Sequence, residues 1–141
     1  LVRLSRWYGW FTWREPLVFV LHWGYGWLVL ALALLGCAAL GVGLPKEDAV
    51  HALTTGAVGV MTLGIMTRAS LGHTGRQRYA DAATIAMYVL VTCGAILRVF
   101  GAGTGLPTGL ILGAAAFCWS SAYLLFALVY GPYLVRPNLE E

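Results

Sequence analysis

The absence of charged residues from four long stretches constrains the fold of this chain more than any other feature. No Asp, Glu, Lys or Arg occurs in residues 16–45, 49–67, 82–97 or 99–135. A transmembrane helix needs about 20 mostly apolar residues at a rise of about 1.5 Å per residue. With 60% hydrophobic residues, 11% charged residues and a mean hydropathy of +0.76, the 141-residue chain lies outside the range of soluble globular proteins. We therefore expect a membrane protein.

These charge-free runs predict an all-α membrane protein. Four transmembrane helices are expected at about residues 17–40, 49–71, 80–100 and 106–130. The connections between them, residues 41–48, 72–79 and 101–105, are short, and short connections make neighbouring helices antiparallel. Residues 16–141 are therefore expected to form one transmembrane domain, a bundle of four antiparallel helices.

Residues 1–15 differ from the rest because they combine arginine with tryptophan, tyrosine and phenylalanine. Aromatic rings and arginine favour the headgroup region of a bilayer, so this interfacial segment is expected to be amphipathic and to lie along the membrane surface. A stacking platform for single-stranded nucleic acid has a similar composition. Because the segment runs directly into a transmembrane helix, we expect the lipid bilayer as its partner and no nucleic acid.

The basic residues are divided unequally between the two sides of the predicted bundle. The side that holds the termini and the second connection carries seven of them: Arg3, Arg6, Arg14, Arg68, Arg76, Arg78 and Arg136. Lys46 and Arg98 lie at the other side. Cytoplasmic loops carry an excess of Lys and Arg, so both termini are expected to be cytoplasmic.

Three histidines, His22, His51 and His73, lie in or next to the predicted spans. An ionisable residue inside a span is a candidate functional residue, and neutral imidazole is a common ligand of haem iron and of copper. His51 and His73 are 22 residues apart, which in one continuous helix is about 33 Å, so they cannot bind the same ion. By spacing alone, packing and hydrogen bonding account for the three histidines as well as a shared metal site does.

His22 and His73 are expected on the same side of the membrane, on helices joined as a hairpin. They could approach each other, with Arg68 or Arg76 available for the propionates of a haem. His51 is expected alone at the other side. A metal site there would need a non-histidine ligand such as methionine, or a ligand from another polypeptide.

Small residues recur at every fourth position of the second predicted helix. They are Ala52, Gly56, Val60 and Gly64. This spacing indicates close contact with another helix. In the first helix, Gly24 and Gly26 also indicate a close neighbour, either a helix or a flat cofactor, and the spacing favours a helix.

Three further residues carry expectations about the ends of helices. Gly72 is expected to stop the second helix, which puts His73 in a loop. Asp81 is expected in the first turn of the third helix, where the helix dipole favours a negative charge. Arg98, near the far end of that helix, is expected to face headgroups or a buried acceptor such as the carboxylate of a cofactor.

The segment HALTTGAVGVMTLGIMTRASLGHTGR, residues 51–76, closely resembles the signature of the NnrS family of bacterial inner-membrane proteins. The segment REPLVFVLHWGYGWL, residues 14–28, resembles the family's sequence upstream of that signature. The resemblance extends from residue 7 to about residue 78 and is weaker through the third and fourth helices. Because family members are usually much longer, the resemblance implies that this chain is their C-terminal portion.

The resemblance also implies cofactors, ligands and partners. Family members are described as haem- and copper-containing membrane proteins linked to nitric oxide and nitrosative stress, so haem b, copper and nitric oxide are the expected small molecules. The residues that match the family's histidine motifs and their surroundings are His22, His51, His73, Arg68, Thr74 and Arg76. The missing N-terminal helices, or another subunit, are the expected protein partners, and the bacterial inner membrane is the expected location.

The function that follows is a haem- and copper-binding protein of nitric oxide resistance, without established catalytic activity. One alternative is a membrane b-type cytochrome or a redox enzyme that metabolises nitric oxide, in which His51 belongs to a separate site. Another is a structural or assembly module whose histidines only form hydrogen bonds.

Overall fold

The structure, a computed structural model, describes residues 9–43 and 45–137. Four long apolar helices dominate this part of the chain. They are α1 (Pro16–Ala39), α2 (Lys46–His73), α3 (Ala82–Phe100) and α4 (Thr108–Val135). Each is long and apolar enough to cross a membrane, and a short 3-10 helix, Gly101–Thr104, follows α3. No strand occurs in the described residues. The prediction of an all-α membrane bundle of four helices is confirmed.

The first residues of the chain lie partly outside this description. Residues 1–8, which include Arg3 and Arg6, belong to the predicted interfacial segment and are not described. Gly9–Arg14 forms a 3-10 helix that leads into α1. Trp13 and Arg14 are exposed, and the Arg14 guanidinium lies 5.3 Å from the centre of the Trp13 ring. The membrane-surface position of residues 1–15 stays a prediction.

Two helices extend beyond the ranges expected from the apolar runs. α2 begins at Lys46 rather than at residue 49, since Glu47 and Asp48 are tolerated in the first turn beside the positive end of the helix dipole. α4 continues past Pro132 to Val135, five residues beyond the expected end at residue 130. The extension of α2 places Lys46, Glu47 and Asp48 inside regular helix, whereas the extension of α4 adds no charged residue.

The end of α2 differs from the sequence expectation in a way that moves a histidine. Gly72 does not end the helix, and His73 is its last residue rather than part of a loop. The left-handed glycine is Gly75, with φ of 65°. The N–H of Arg76 donates to the carbonyl of Leu71 at 3.0 Å, which completes a Schellman-type helix end. The expectation at Gly72 was wrong because the next glycine, three residues later, is the one that the turn uses.

α1 and α2 pack through glycines, as the small-residue spacing predicted. A Cβ on Gly24 would overlap Met61, and a Cβ on Gly56 would overlap the ring of Trp27. Gly64 receives Val20 in the same way. The helices are antiparallel and interdigitate, so the stripe on α2 is a helix contact.

Gly26 behaves differently from Gly24, although both were expected to admit a close neighbour. A Cβ on Gly26 would meet nothing within 4 Å in the described structure. Gly26 lies instead in an apolar cleft of about 440 Å³ between α1 and α3, with Trp23, Trp27 and Phe100 among its other lining residues. The expectation of a close helix was wrong for Gly26, because α1 packs against α2 and leaves α3 at a distance, whereas a flat cofactor beside Gly26 stays a prediction.

Hydroxyl groups join α2, α3 and α4. The Tyr88 hydroxyl of α3 lies 2.5 Å from Thr67 Oγ1 of α2, and Thr67 itself donates to the carbonyl of Gly64 at 3.0 Å. The Tyr123 hydroxyl of α4 donates to the carbonyl of Gly59 at 2.9 Å. Since Thr67 uses its proton on a carbonyl, Tyr88 is the donor to Thr67.

A second hydroxyl relay fixes the start of α3. Asp81 caps the helix rather than lying in its first turn, and its Oδ1 accepts from the N–H of Thr84 at 2.8 Å and from Thr84 Oγ1 at 2.7 Å. Tyr130 of α4 lies 2.7 Å from the same Thr84 oxygen. Because a carboxylate only accepts, the proton order runs from Tyr130 to Thr84 to Asp81.

α2 contains a π-helical turn, Ala52–Val58, directly after His51. A π turn inserts one residue into a helix and frees backbone carbonyls. Two hydroxyls accommodate this region: Thr54 donates to the carbonyl of Val50 at 3.0 Å, and Thr55 donates to the carbonyl of His51 at 2.7 Å. The inserted residue changes the direction in which the first two turns of α2 face.

Candidate functional site

The two ends of the bundle differ in charge. We call the end at which α1 begins, α2 ends, α3 begins and α4 ends the basic end. Its described arginines are Arg14, Arg68, Arg76, Arg78 and Arg136. We call the other end, with Lys46, Asp48 and Arg98, the opposite end. His73 lies at the basic end and His51 at the opposite end of the same helix.

His73 is exposed and lines a hollow of about 350 Å³ at the basic end. Arg68 and Arg78 line the same hollow. The Arg78 guanidinium lies over Gly72, where a Cβ would come within 3.2 Å of Nη2. Gly72 therefore makes room for an arginine beside His73, which is a different role from the helix stop expected from the sequence.

A second hollow of about 430 Å³ adjoins the first and shares Arg68 and Arg78 with it. Arg14 and Glu15 line it from the start of α1. Within residues 9–43 and 45–137 the single ion pair is elsewhere, between Arg98 and Asp48. The arginines at these two hollows thus have no ion-pair partner in the described part of the chain, and an anionic group would meet a positive surface there.

Arg76, which was expected beside His73, makes other contacts. Its Nη1 donates to the carbonyl of Thr74 at 3.3 Å, and its guanidinium lies 4.4 Å from the centre of the Tyr133 ring. Thr74 is buried and donates to the carbonyl of Ser70 at 2.7 Å. The structure places Arg78 beside His73, whereas the sequence indicated for Arg78 only a role in membrane topology.

His22 is half-buried on α1, and one of its ring nitrogens has a defined role. Nδ1 lies 3.1 Å from the carbonyl of Val18, and because a carbonyl only accepts, Nδ1 carries the proton and donates. The lone pair of the neutral ring is therefore on Nε2. This tautomer, fixed by a backbone carbonyl, is the one in which histidine binds metals through Nε2.

The structure does not bring His22 and His73 onto one ion. Val20 packs on Gly64 and Gly24 on Met61, so His22 is level with about residue 63 of α2. His73 lies ten residues further along α2, which is about 15 Å along the helix axis. No group of three or more His, Cys, Asp or Glu side chains suited to a metal ion occurs in the described residues.

His51 lies at the opposite end in a cluster with Asp48 and Arg98, which was not predicted from the sequence. Arg98 Nη2 of α3 donates to His51 Nε2 at 2.5 Å, and Arg98 Nη1 lies 3.7 Å from Asp48 Oδ1. Of the two expectations for Arg98, headgroups or a buried acceptor, the structure agrees with the second, but the partly buried acceptors belong to α2 rather than to a cofactor. The sequence signal was weak: Asp48 and His51 are three residues apart, but nothing in the sequence pairs them with Arg98.

Comparison with known proteins places the chain in a family. Searches of curated proteins and of solved structures give no significant match. The family described as NnrS protein matches residues 1–138, which is nearly the whole chain. The match includes both histidine segments, the hydroxyl-tied helices α3 and α4, and both arginine environments, and the chain belongs to the NnrS family.

Proposed function

We propose that this protein takes part in the bacterial response to nitric oxide as a membrane protein that binds haem b and copper. The observation that carries the proposal is the family match over residues 1–138. Two environments support it: His22 donates through Nδ1 to the carbonyl of Val18, and His73 lines a hollow together with Arg68 and Arg78. The protein is proposed to bind rather than to turn over nitric oxide.

The residues at the basic end fit a haem in their chemistry. His73 offers an imidazole, and Arg68 and Arg78 offer two guanidinium groups for carboxylates such as propionates. The two adjoining hollows, about 350 and 430 Å³, fall within the sizes common for ligand pockets. A bound haem would supply iron that binds diatomic ligands such as nitric oxide.

His22 is the second proposed haem ligand. The Nδ1 donation to Val18 holds the ring in the tautomer that ligation through Nε2 requires. Because His22 and His73 lie about 15 Å apart along the helix axis, we propose that each ligates with a partner from outside the described helices. Further helices of a longer protein, or another subunit, are the proposed source.

The location and orientation of the protein are part of the proposal. We propose the bacterial inner membrane with both termini in the cytoplasm, because the described arginines gather at the basic end. A membrane-impermeant thiol reagent should label an Arg136→Cys variant, in a background without native cysteines, in inverted vesicles but not in intact spheroplasts. Labelling in intact spheroplasts would reverse the orientation.

Redox difference spectra of the purified protein test the function. A Soret band and haem b α-band are expected. His73→Ala and His22→Ala should each lower the haem content, whereas His51→Ala, the matched control at the other end of α2, should retain it. A protein without a Soret band and without stoichiometric metal would refute the proposal. Haem lost only in His51→Ala would move the site to the opposite end.

The same preparation distinguishes binding from catalysis. With a supplied electron donor, consumption of nitric oxide beyond one equivalent per haem would show an enzyme. A shift of the Soret band without further consumption supports the binding role proposed here.

A further inference from the structure

A basic hollow and an apolar groove adjoin at the start of α1. The hollow is the one of about 430 Å³ at the basic end, and Pro16 lines it. Pro16 also lines an apolar space of about 550 Å³ between α1 and α3. Trp23 lines both this space and the cleft of about 440 Å³ beside Gly26. The two apolar spaces therefore continue one another, and together we call them the α1–α3 groove.

The α1–α3 groove follows one face of α1 away from the basic end. Pro16 and Leu30 line its two ends on that helix and are 14 residues apart. At a rise of about 1.5 Å per residue, the groove is about 21 Å long. The hydrocarbon core of a bilayer is about 30 Å thick, so one leaflet contributes about 15 Å. The groove is therefore long enough for the acyl chain of a lipid in one leaflet.

The lining of the groove suits a hydrocarbon chain. Among the residues that the structure describes, the lining includes no charged side chain. Phe19, Trp23 and Val89 are exposed along it. The hydroxyl of Tyr88 is already bonded to Thr67 of α2. An aliphatic chain in the groove would thus contact apolar surface on both helices.

The hollow carries the charge that an anionic headgroup needs. Arg14, Arg68 and Arg78 line it, and the one carboxylate that lines it is that of Glu15. Guanidinium groups bind phosphate oxygens through charge-assisted and often bidentate hydrogen bonds. Because the arginines outnumber Glu15, the ammonium of a zwitterionic headgroup would meet like charge in the hollow. The hollow therefore favours a headgroup with a net negative charge.

We propose that this site binds an anionic phospholipid, with its phosphate among Arg14, Arg68 and Arg78 and one acyl chain in the α1–α3 groove. The order of the two spaces along α1 supports the assignment. The hollow lies at the start of the helix, where headgroups lie, and the groove continues from Pro16 into the span. The positive charge and the apolar groove thus match the headgroup and the chain of one molecule.

The lipid site goes beyond the proposed haem binding and does not depend on it. His73 lines the neighbouring hollow of about 350 Å³, whereas Arg14 and Val89 do not. Arg68 and Arg78 line both hollows. Since each guanidinium has five donors, these two arginines can bind a carboxylate in one hollow and a phosphate in the other.

Native mass spectrometry of the full chain in detergent tests the headgroup contact. Incubated with phosphatidylglycerol and phosphatidylethanolamine of the same acyl chains, the protein should retain one phosphatidylglycerol in preference. An arginine near an anionic lipid contributes about 1 kcal/mol, so Arg14→Gln should lower the affinity for phosphatidylglycerol about fivefold. Arg136→Gln, which removes an exposed arginine elsewhere at the basic end, is the control and should leave the affinity unchanged.

A filled groove tests the position of the acyl chain. Val89→Trp places a large ring in the groove, and it should reduce the retention of phosphatidylglycerol to the level of phosphatidylethanolamine. Leu124→Trp, on an exposed face of α4, is the matched control and should retain the lipid. Circular dichroism and gel filtration establish that each variant is folded. If Val89→Trp does not fold, Ile85→Trp replaces it, because Ile85 is also exposed in the groove.

Four outcomes would overturn the lipid site. Equal retention of the two lipids by the wild type would remove the selectivity, and retention unchanged by the groove-filling variant would remove the acyl-chain position. Displacement of the lipid by inorganic phosphate at the same concentration would leave an anion site without a lipid. A Soret band or a dimer that the groove-filling variant abolishes, without a retained lipid, would assign the groove to haem or to a second copy of the chain.

Discussion

α2 is held to α1 and to α3 by different means. Against α1 it presents Gly56 and Gly64, which receive Trp27 and Val20 directly on the helix backbone. Against α3 it presents Thr67, which accepts a hydrogen bond from Tyr88. The first interface depends on shape and has no tolerance for an added methyl group, whereas the second depends on single polar contacts.

The difference between these two interfaces matters because lipid, rather than water, is the solvent around the helices. In a bilayer, moving an apolar side chain from lipid to a neighbouring helix gives no hydrophobic free energy, because the lipid tails are equally apolar. Close packing and interhelical hydrogen bonds therefore hold the helices together. Glycine packing gains contact over many atoms at once. An interhelical hydrogen bond averages about 0.6 kcal/mol in membrane proteins. We therefore expect changes at the glycine interface to cost more than changes at the hydroxyl contacts.

Gly56→Ala should have the largest effect. The new Cβ would overlap the Trp27 ring, which is 5% exposed and packs directly on the backbone of α2. Overpacking of this kind costs about 1–3 kcal/mol. Unfolding by SDS in mixed micelles, followed by far-ultraviolet circular dichroism, measures the loss.

Gly26→Ala is the matched control for that change, since a Cβ there would meet nothing within 4 Å. It should be neutral or stabilising by about 0.5–1 kcal/mol, because alanine favours helix over glycine. Equal stability losses in the two variants would show that α1 and α2 are not held by close glycine contact.

The glycine interface could be predicted from the sequence, and the hydroxyl contacts could not. Small residues that recur every four positions lie on one helix face in any surroundings. The spacing of Gly56 and Gly64 therefore indicates a close contact with another helix. Thr67 and Tyr88 are 21 residues apart on different helices. Their pairing depends on the rotation of each helix, which mean hydropathy does not determine.

The same distinction applies to the candidate sites. The topology and helix number followed from the charge-free runs, and the placement of His51 and His73 at opposite ends followed from the rise per residue. The Arg98 contact with His51 could not be predicted, because the π turn rotates the start of α2 and no residue pattern marks that turn. Arg78 beside His73 was missed because the left-handed turn uses Gly75 rather than Gly72.

Asp81→Ala should have an intermediate effect on the hydroxyl side of the comparison. It removes the cap of α3 and the last acceptor of the relay from Tyr130 through Thr84. Loss of a helix cap costs about 0.5–2 kcal/mol, and we expect about 1–2 kcal/mol because buried Thr84 also loses its acceptor. Unfolding of Asp81→Ala by SDS in mixed micelles, followed by far-ultraviolet circular dichroism, measures the loss.

Glu47→Ala is the control for Asp81→Ala. Glu47 is an exposed acidic residue in the first turn of α2, and no side-chain cap bond is formed at that helix start. Near physiological salt its interaction with the helix dipole is screened, so a loss below about 0.5 kcal/mol is expected. If Glu47→Ala lowers the stability as much as Asp81→Ala does, the hydroxyl relay contributes no stability beyond that of a negative charge at a helix start.

The contact between Thr67 and Tyr88 gives the smallest expected effect and the most direct test of the polar interface. Thr67→Val keeps the shape of the side chain and removes the acceptor for the Tyr88 hydroxyl. In a double-mutant cycle with Tyr88→Phe, a coupling of about 0.6 kcal/mol is expected, the average for such bonds in a membrane. Thr62→Val, on an exposed face of α2, should show no coupling to Tyr88→Phe. Zero coupling at Thr67 would leave packing as the means by which α2 holds α3, and the contrast between its two interfaces would disappear.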